Sequence, residues 1–392
     1  MPTVLSDDEL RQCLAVRDLS DPAQGPHAMQ AVLDNLVAAL ADAWKCQTRV
    51  VRDHPAVHVA DNYDHLGYAS DAVTREERYT RYVDDTHVLR SHSSALIPGA
   101  LRTLARDTSA AGADGSPGDM DGLGDVDDVV LACSGVCYRR DSVDWQHTGT
   151  PQQLDLWRIR RGPACDDADL DEMIGLVVDA VLPGSRWRTI PKVHPYTRNG
   201  REINVWWHEQ WIEIGECGLA APTVLAGAGL AVPPWSGLAM GLGLDRLLML
   251  AKGIPDIRLL RSADPRVAAQ MLDLSAYHTV SHMPPVRRDL SVVVGSDVDV
   301  SVELLGDRVR AALGADADVA ESVDLISETG YDDLPAGARS RLGIAPGQRN
   351  ILVRLVLRAL DRTLTDVEAN QLRDRVYAAL HEGAESEWAA RI

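Results

Sequence analysis

The chain has 392 residues, of which 45% are hydrophobic and 25% charged, and its formal net charge is −19. That length suits two or three domains, each able to bury its own core, with the composition of an ordinary globular protein. The acidic balance excludes a protein that coats nucleic acid indiscriminately, though not one with a local basic face. No apolar run is long enough to span a bilayer and no basic-then-apolar leader opens the chain, so the expected location is cytoplasmic, with no membrane partner. Cysteines 13, 46, 133, 137, 165 and 217 are scattered and read as reduced thiols. Cys133 and Cys137 have the wrong spacing for a zinc knuckle, and no second pair lies nearby. Lys occurs only at positions 45, 192 and 252; the bias to Arg suits bidentate phosphate contacts, and a GC-rich genome produces the same bias. There is no Phe, beside nine Trp and nine Tyr.

In chain order, Ser6 followed by Asp7, Asp8 and Glu9 predicts a capped helix. Residues 28–45 place Val32, Leu33, Leu36, Val37, Leu40 and Trp44 at helical spacing, and 48–52 form a short strand candidate. Hydroxyls and an imidazole crowd the run Ser91, His92, Ser93 and Ser94. They form either a turn capping a helix over 96–106 or a hydrogen-bonding wall. Small, acidic and Gly-rich residues predict a flexible surface loop over 107–126. Residues 129–138 predict a buried strand running into Arg139, Arg140 and Asp141, which is either a solvated hairpin tip or a holder for a nucleotide. An acidic-capped helix is expected over 166–182, and strands over 205–207 and 211–218. Glycines 237, 241 and 243 then lead into an apolar helix with Arg246 in its first turn. That run reads as a tightly packed strand–helix corner, or as bare backbone beneath a flat ligand with a guanidinium aimed at phosphate. Beyond a Pro-rich linker at 282–286, the order is strand, helix (302–313), strand (320–328), strand (349–358), helix (365–380). It suits a split βαββαβ ferredoxin-like domain.

Residues 237–266 resemble motif 3 of class II aminoacyl-tRNA synthetases, in the form found in phenylalanyl-tRNA synthetase, and Tyr138 to Asp141 resembles motif 2. The fold this implies is α+β: an antiparallel sheet core flanked by helices, plus a C-terminal ferredoxin-like domain. It divides the chain into an N-terminal helical scaffold (1–60), a catalytic core (61–281) and an anticodon-binding-like domain (282–392), similar in layout to the single-chain organellar enzymes. The implied reaction activates an aromatic amino acid, phenylalanine or a more polar analogue, with ATP and Mg2+, then transfers it to tRNA. Arg139 and Arg246 are the implied catalytic residues. Asp141, His147 and Glu213 join them around ATP, with Glu213 also at the metal. His92, Ser94, Gln153, Asp155, His194, Tyr196, Glu216 and Ala239 match amino-acid-binding segments. Arg287, Arg288, Arg349 and Arg354 are candidate tRNA contacts, although arginines simply solvating an acidic domain read the same way.

The chain departs from the family pattern at several of these positions. His194 and Tyr196 stand where the family has Phe, Asp155 where it has Glu, Glu216 where it has Gly, and Arg198 where the heteromeric enzymes carry a metal-ligating Glu. The polar replacements read as a retuned pocket or as part of a chain-wide avoidance of Phe. No clear motif 1 follows residues 61–66, so a monomer or weak homodimer is expected. Two other functions fit the same residues: activation of an amino acid for an acceptor other than tRNA, and an inactive tRNA-binding regulator.

Overall fold

The computed structural model describes residues 4–76, 79–113, 127–280 and 283–385. Its contacts divide the chain into two compact units. The first comprises Met1–Arg139, Thr150–Ile254 and Met271–Ala276; the second comprises Arg140–Gly149, Pro255–Gln270 and Tyr277–Ile392.

In the first unit, helix α1 (Asp7–Leu14) starts at Ser6, whose hydroxyl and Glu9 form the expected capping box. Helix α2 (Ala28–Trp44) buries Val32, Leu33, Leu36 and Leu40 along one stripe. Strand β1 (Gln47–Val51) follows. Helix α3 (Ile97–Ala113) runs seven residues beyond its expected end, through the first part of the expected loop. The rest of that loop, 114–126, lies outside the described residues. Strand β2 (Asp128–Val136), strand β3 (Gln152–Arg161) and helix α4 (Asp167–Val181) come next. They lead to strands β4 (Trp187–Pro191), β5 (Thr197–Trp207), β6 (Gln210–Ala220) and β7 (Trp235–Gly243), and then helix α5 (Leu244–Lys252).

These strands form one seven-stranded sheet in the order β1-β2-β3-β7-β6-β5-β4. Every neighbouring pair is antiparallel except β1 and β2, so the expected antiparallel sheet is mixed at one edge. Residues 1–60 are thus more than a scaffold beside the core, because they supply that edge strand and a covering helix. Leu154, Leu156, Leu238, Met240 and Leu242 are buried on one face, the side covered by α2, where the Arg158 guanidinium lies 4.0 Å over the Trp44 ring. The other face carries Leu131, Trp157 and Ala239, which pack against Ile97, Leu101 and Leu104 of α3.

Because β2 and β7 are both antiparallel to β3, they run the same way and end at the same edge of the sheet. There the Cys137 N–H donates to the Pro151 carbonyl at 2.8 Å, and the Gln152 N–H donates to the Asp245 carboxylate at 2.5 Å. Arg139 and Arg246 follow immediately, from strand ends about 10 Å apart, or two strand spacings.

The second unit contains β8 (Val286–Gly295), α6 (Val302–Leu313), β9 (Ala320–Gly330), β10 (Gln348–Leu357) and α7 (Asp366–Leu380). Its antiparallel sheet has the order β8-β10-β9, as in the first three strands of a split βαββαβ domain. Where a fourth strand would pair with β8, residues 381 and 382 take its place. Glu382 N–H donates to the Val293 carbonyl at 2.8 Å, and Val293 N–H donates to Nδ1 of His381 at 3.0 Å. The segment 140–149 belongs to this unit: Val143 enters its core, and Arg310 donates to the carbonyls of Asp141 and Ser142.

Gly237 is a position where the sheet itself demands glycine. A Cβ there would lie 2.6 Å from the Arg158 carbonyl oxygen and 2.8 Å from Ile159. Gly237→Ala is expected to lower the unfolding free energy by about 1–3 kcal/mol, read as a reduced midpoint in urea at unchanged slope.

Candidate active site

The register of the central strands sets out the site. Asp155 of β3 is directly opposite Gly241 of β7, and Gly241 is directly opposite Glu216 of β6. Paired residues share a face, so two carboxylates flank a glycine in one row. A Cβ on Gly241 would meet only the Asp155 carboxylate, at an ordinary 3.7 Å. Packing therefore does not require glycine here, in contrast to Gly237.

Asp155 is 2% exposed and holds three polar neighbours. Ser93 Oγ donates to it at 2.5 Å and Trp157 Nε1 at 3.1 Å, and the Ser94 hydroxyl bonds it as well. Burial pushes its carboxyl up to about 6; those hydrogen bonds oppose the shift, and the charge of Glu216 adds to it. Gln153, two residues earlier on the same face, accepts from the Ser93 N–H at 3.2 Å. Arg90 fixes this segment: its guanidinium donates to the carbonyls of Val136 and Asp53, and its own carbonyl accepts from Tyr138 N–H at 2.8 Å.

Both ring nitrogens of His92 are buried and make no hydrogen bond of ordinary geometry among the described residues, with the Asn62 backbone as a polar neighbour. Burial, and the nearby positive charge of Arg139, bring its imidazole down to about 4, so the ring is neutral near pH 7. His92 stacks on Tyr68 with centroids 5.7 Å apart. Tyr68 reaches Tyr196 at 6.3 Å, and Tyr196 stacks against both His194 (5.7 Å) and Trp157 (6.1 Å). An aromatic wall thus joins the carboxylate row to Ala239, which pairs with Trp157. Burial pushes the phenols of Tyr68 and Tyr196 far above their usual range, aided by the carboxylates of Asp155 and Glu216.

His194 Nε2 lies 2.8 Å from Glu216 and its Nδ1 lies 3.2 Å from the Thr197 hydroxyl. Burial pushes Glu216 up, but its hydrogen bonds to His194 and Lys192 outweigh that and hold the carboxyl at about 2. Lys192 Nζ stands 2.5 Å from Glu216, 3.2 Å from Glu202 and 3.6 Å from Glu213. Glu213 and Glu216 are three residues apart, so plain alternation would put them on opposite faces. A bulge corrects this: β5 residues Ile203 and Asn204 pair with Gly215 and Glu213, which skips Ile214. A second bulge between Arg198 and Arg201, with Asn199 at positive φ, has the opposite outcome. Thr197 faces Gly218 on the site side, so the exposed Arg198 points to the other face, away from Glu216.

Arg246 Nη1 donates to the Glu213 carbonyl at 2.7 Å; burial raises the Glu213 carboxyl, and the charges of Lys192 and Arg246 offset that only in part. The implied magnesium would lie beside this carboxylate. The groups converging there are three carboxylates already facing one ammonium, two at hydrogen-bond distance and Glu213 at an ion-pair distance of 3.6 Å. Among the described residues no group of three or more His, Cys, Asp or Glu side chains is arranged to hold a metal. The residues fit an ammonium and do not fit a protein-held metal.

All eight residues expected to bind the amino acid, with Arg139, Arg246 and Glu213, thus lie in the first unit, on or beside one sheet face. Asp141 and His147 belong to the second unit, where His147 Nδ1 is 2.7 Å from Asp144. Three of the four candidate tRNA contacts are taken up within that unit. Arg354 is bidentate to Asp289 (2.8 and 2.9 Å), Arg349 lies 3.0 Å from Glu328, and Arg288 reaches Asn370 and Asp366. Arg287 is exposed. Sequence reasoning missed Tyr68 and Lys192, and it placed Ser93 in a hydrogen-bonding wall without assigning it to the site. Ser93 adjoins Ser94 and Lys192 is one of only three lysines, but nothing local marks Tyr68.

Comparison with known proteins agrees with this geometry. The family described as "tRNA synthetases class II core domain (F)" matches residues 20–271. The probable mitochondrial phenylalanine–tRNA ligase of Drosophila melanogaster is 24% identical, over 83% of this chain and 76% of its own. The mitochondrial phenylalanine–tRNA ligase of Saccharomyces cerevisiae is 25% identical, over 83% and 80%. The phenylalanine–tRNA ligase alpha subunit of Prochlorococcus marinus is 28% identical, over 64% and 69%. With the matched family covering well over half of its length, the chain belongs to the class II tRNA synthetases, in the phenylalanine–tRNA ligase family.

Proposed function

We propose that this protein activates an aromatic amino acid, phenylalanine or a more polar analogue, with ATP and passes it to tRNA. The observation that carries the reading is the gathering of the Asp155–Gly241–Glu216 row, its aromatic wall and the two arginine-bearing strand ends on one sheet. Gln153 and the Asp155 carboxylate hold the substrate ammonium, while Tyr196, Trp157 and Ala239 border its side chain. His194 and Glu216 make that border polar, which favours a hydroxylated ring. The substrate carboxylate attacks the α-phosphorus of ATP; the new oxygen–phosphorus bond forms as the bond to pyrophosphate breaks. No side chain acts as nucleophile. Arg139 and Arg246 neutralise the charge that builds on the phosphates, and the rest is positioning. Magnesium arrives with the phosphates as part of the nucleotide substrate. A terminal ribose hydroxyl of tRNA then attacks the adenylate carbonyl and releases AMP. Six free cysteines support a cytoplasmic setting, and a monomer or weak homodimer suffices for this chemistry.

Arg139→Ala and Arg246→Ala should each abolish ATP–pyrophosphate exchange; full rate in either variant contradicts the assignment. An exchange screen with phenylalanine, tyrosine and more polar ring analogues identifies the substrate, and charging assays with tRNA test the acceptor. Exchange without charging would favour another acceptor, while tRNA binding without exchange would favour a regulator.

The carboxylate is the form of Asp155 that attracts the ammonium, and burial holds its pKa at about 6. Amino-acid affinity should be full above that pH and lost as pH falls through it, read as a rising KM for the amino acid. Ser93→Ala removes a hydrogen bond to the charged form, worth about 1.5–3 kcal/mol. The midpoint of the KM profile should therefore move up by about 1–2 pH units.

A further inference from the structure

We infer that the Lys192 ammonium is a built-in counter-ion, standing on the open sheet face where three carboxylates would otherwise gather a divalent cation. The donor set is that of a hard-cation site, with Glu202 from β5 and Glu213 and Glu216 from β6 brought to one face by the bulge at Ile214. The distances from Nζ, 2.5 to 3.6 Å, are those of N–H···O bonds and ion pairs, not of a metal shell at about 2.1 Å. An ammonium has three N–H donors and so can serve all three carboxylates at once; a planar guanidinium cannot converge in this way.

The lysine is held in place from its backbone. Its N–H donates to the Gly200 carbonyl at 2.8 Å, and a Cβ on Gly200 would lie 2.3 Å from the Lys192 carbonyl oxygen. The carboxylates are oriented as well. Asn204 donates to Glu202 at 2.8 Å, His194 faces Glu216 at 2.8 Å, and Arg246 grips the Glu213 carbonyl. Lys192 and Glu216 form the shortest pair of the cluster, and without the ammonium three carboxylates would face one another on a half-buried face. Arg198 takes no part in this cluster, because the register turns it to the opposite face.

The inference rests on the same face as the proposed activity, but its test needs no turnover, so the two stand or fall separately. Nucleotide-free full-length protein is titrated with Mn2+ and followed by electron paramagnetic resonance. The parent should show no saturable site that Glu213→Gln removes. Lys192→Ala should gain one Mn2+ site, at least about tenfold tighter than any in the parent, and the Lys192→Ala/Glu213→Gln double variant should lose it. Lys192→Met, which keeps the aliphatic stem, is titrated in parallel. A loss of thermal stability in either lysine variant that Mn2+ restores is the same positive result. The inference is overturned if the parent already holds Mn2+ through Glu213, if the folded lysine variants gain no site, or if they fail to fold with and without Mn2+.

Discussion

The pairing of β3 with β2 on one side and β7 on the other is the constraint on which the rest of the structure depends. It makes two strands distant in the chain end side by side, and so delivers Arg139 and Arg246 to the same edge. It also sets Asp155 in line with Gly241 and Glu216. A slip of one residue in this register would turn Asp155, Trp157 and Ala239 to the face covered by α2, where Leu156 and Met240 now lie. The glycines of β7 serve this pairing in different ways. Gly237 lets the backbone pass the Arg158 carbonyl, whereas Gly241 keeps the face low between two acids.

An acidic chain must still keep carboxylates apart or compensated where they are buried. At Asp155 the compensation is neutral: hydroxyl and indole donors hold the charge, and burial raises its carboxyl to about 6. At Glu216 it is ionic through Lys192, with His194 at hydrogen-bond distance, and the carboxyl stays charged at any physiological pH. Two acids about 10 Å apart in one row are thereby given different protonation behaviour. The same economy governs the second unit, where Arg354, Arg349 and Arg288 are matched to Asp289, Glu328 and Asp366. Basic residues there mostly balance the domain's own acids.

Much of the fold was legible from local chemistry. The Ser6–Glu9 capping box, the apolar stripe of α2, the Gly-to-Leu transition from β7 into α5 and the strand–helix order of the second unit all rest on nearest-neighbour propensity and periodicity. Such signals are written in consecutive residues and survive without knowledge of the partner. The end of α3 was misjudged because small and polar residues after 106 resemble a loop, yet the helix begun on the apolar face of Ile97, Leu101 and Leu104 continues to Ala113.

The sequence by itself determined the element types, the family to which the motifs belong and the identities of most residues lining the site, because each depends on short stretches of side chains. Tertiary structure alone decided which faces they share. Bulges at Ile214 and between Arg198 and Arg201 reverse the parity that alternation predicts, bringing Glu213 beside Glu216 and turning Arg198 away. Ser93 rather than its neighbour makes the short bond to Asp155, Tyr68 joins the aromatic wall, and Lys192 bridges three acids. These outcomes depend on inter-strand register and on loops folding back over the sheet, contacts between residues that no local pattern links.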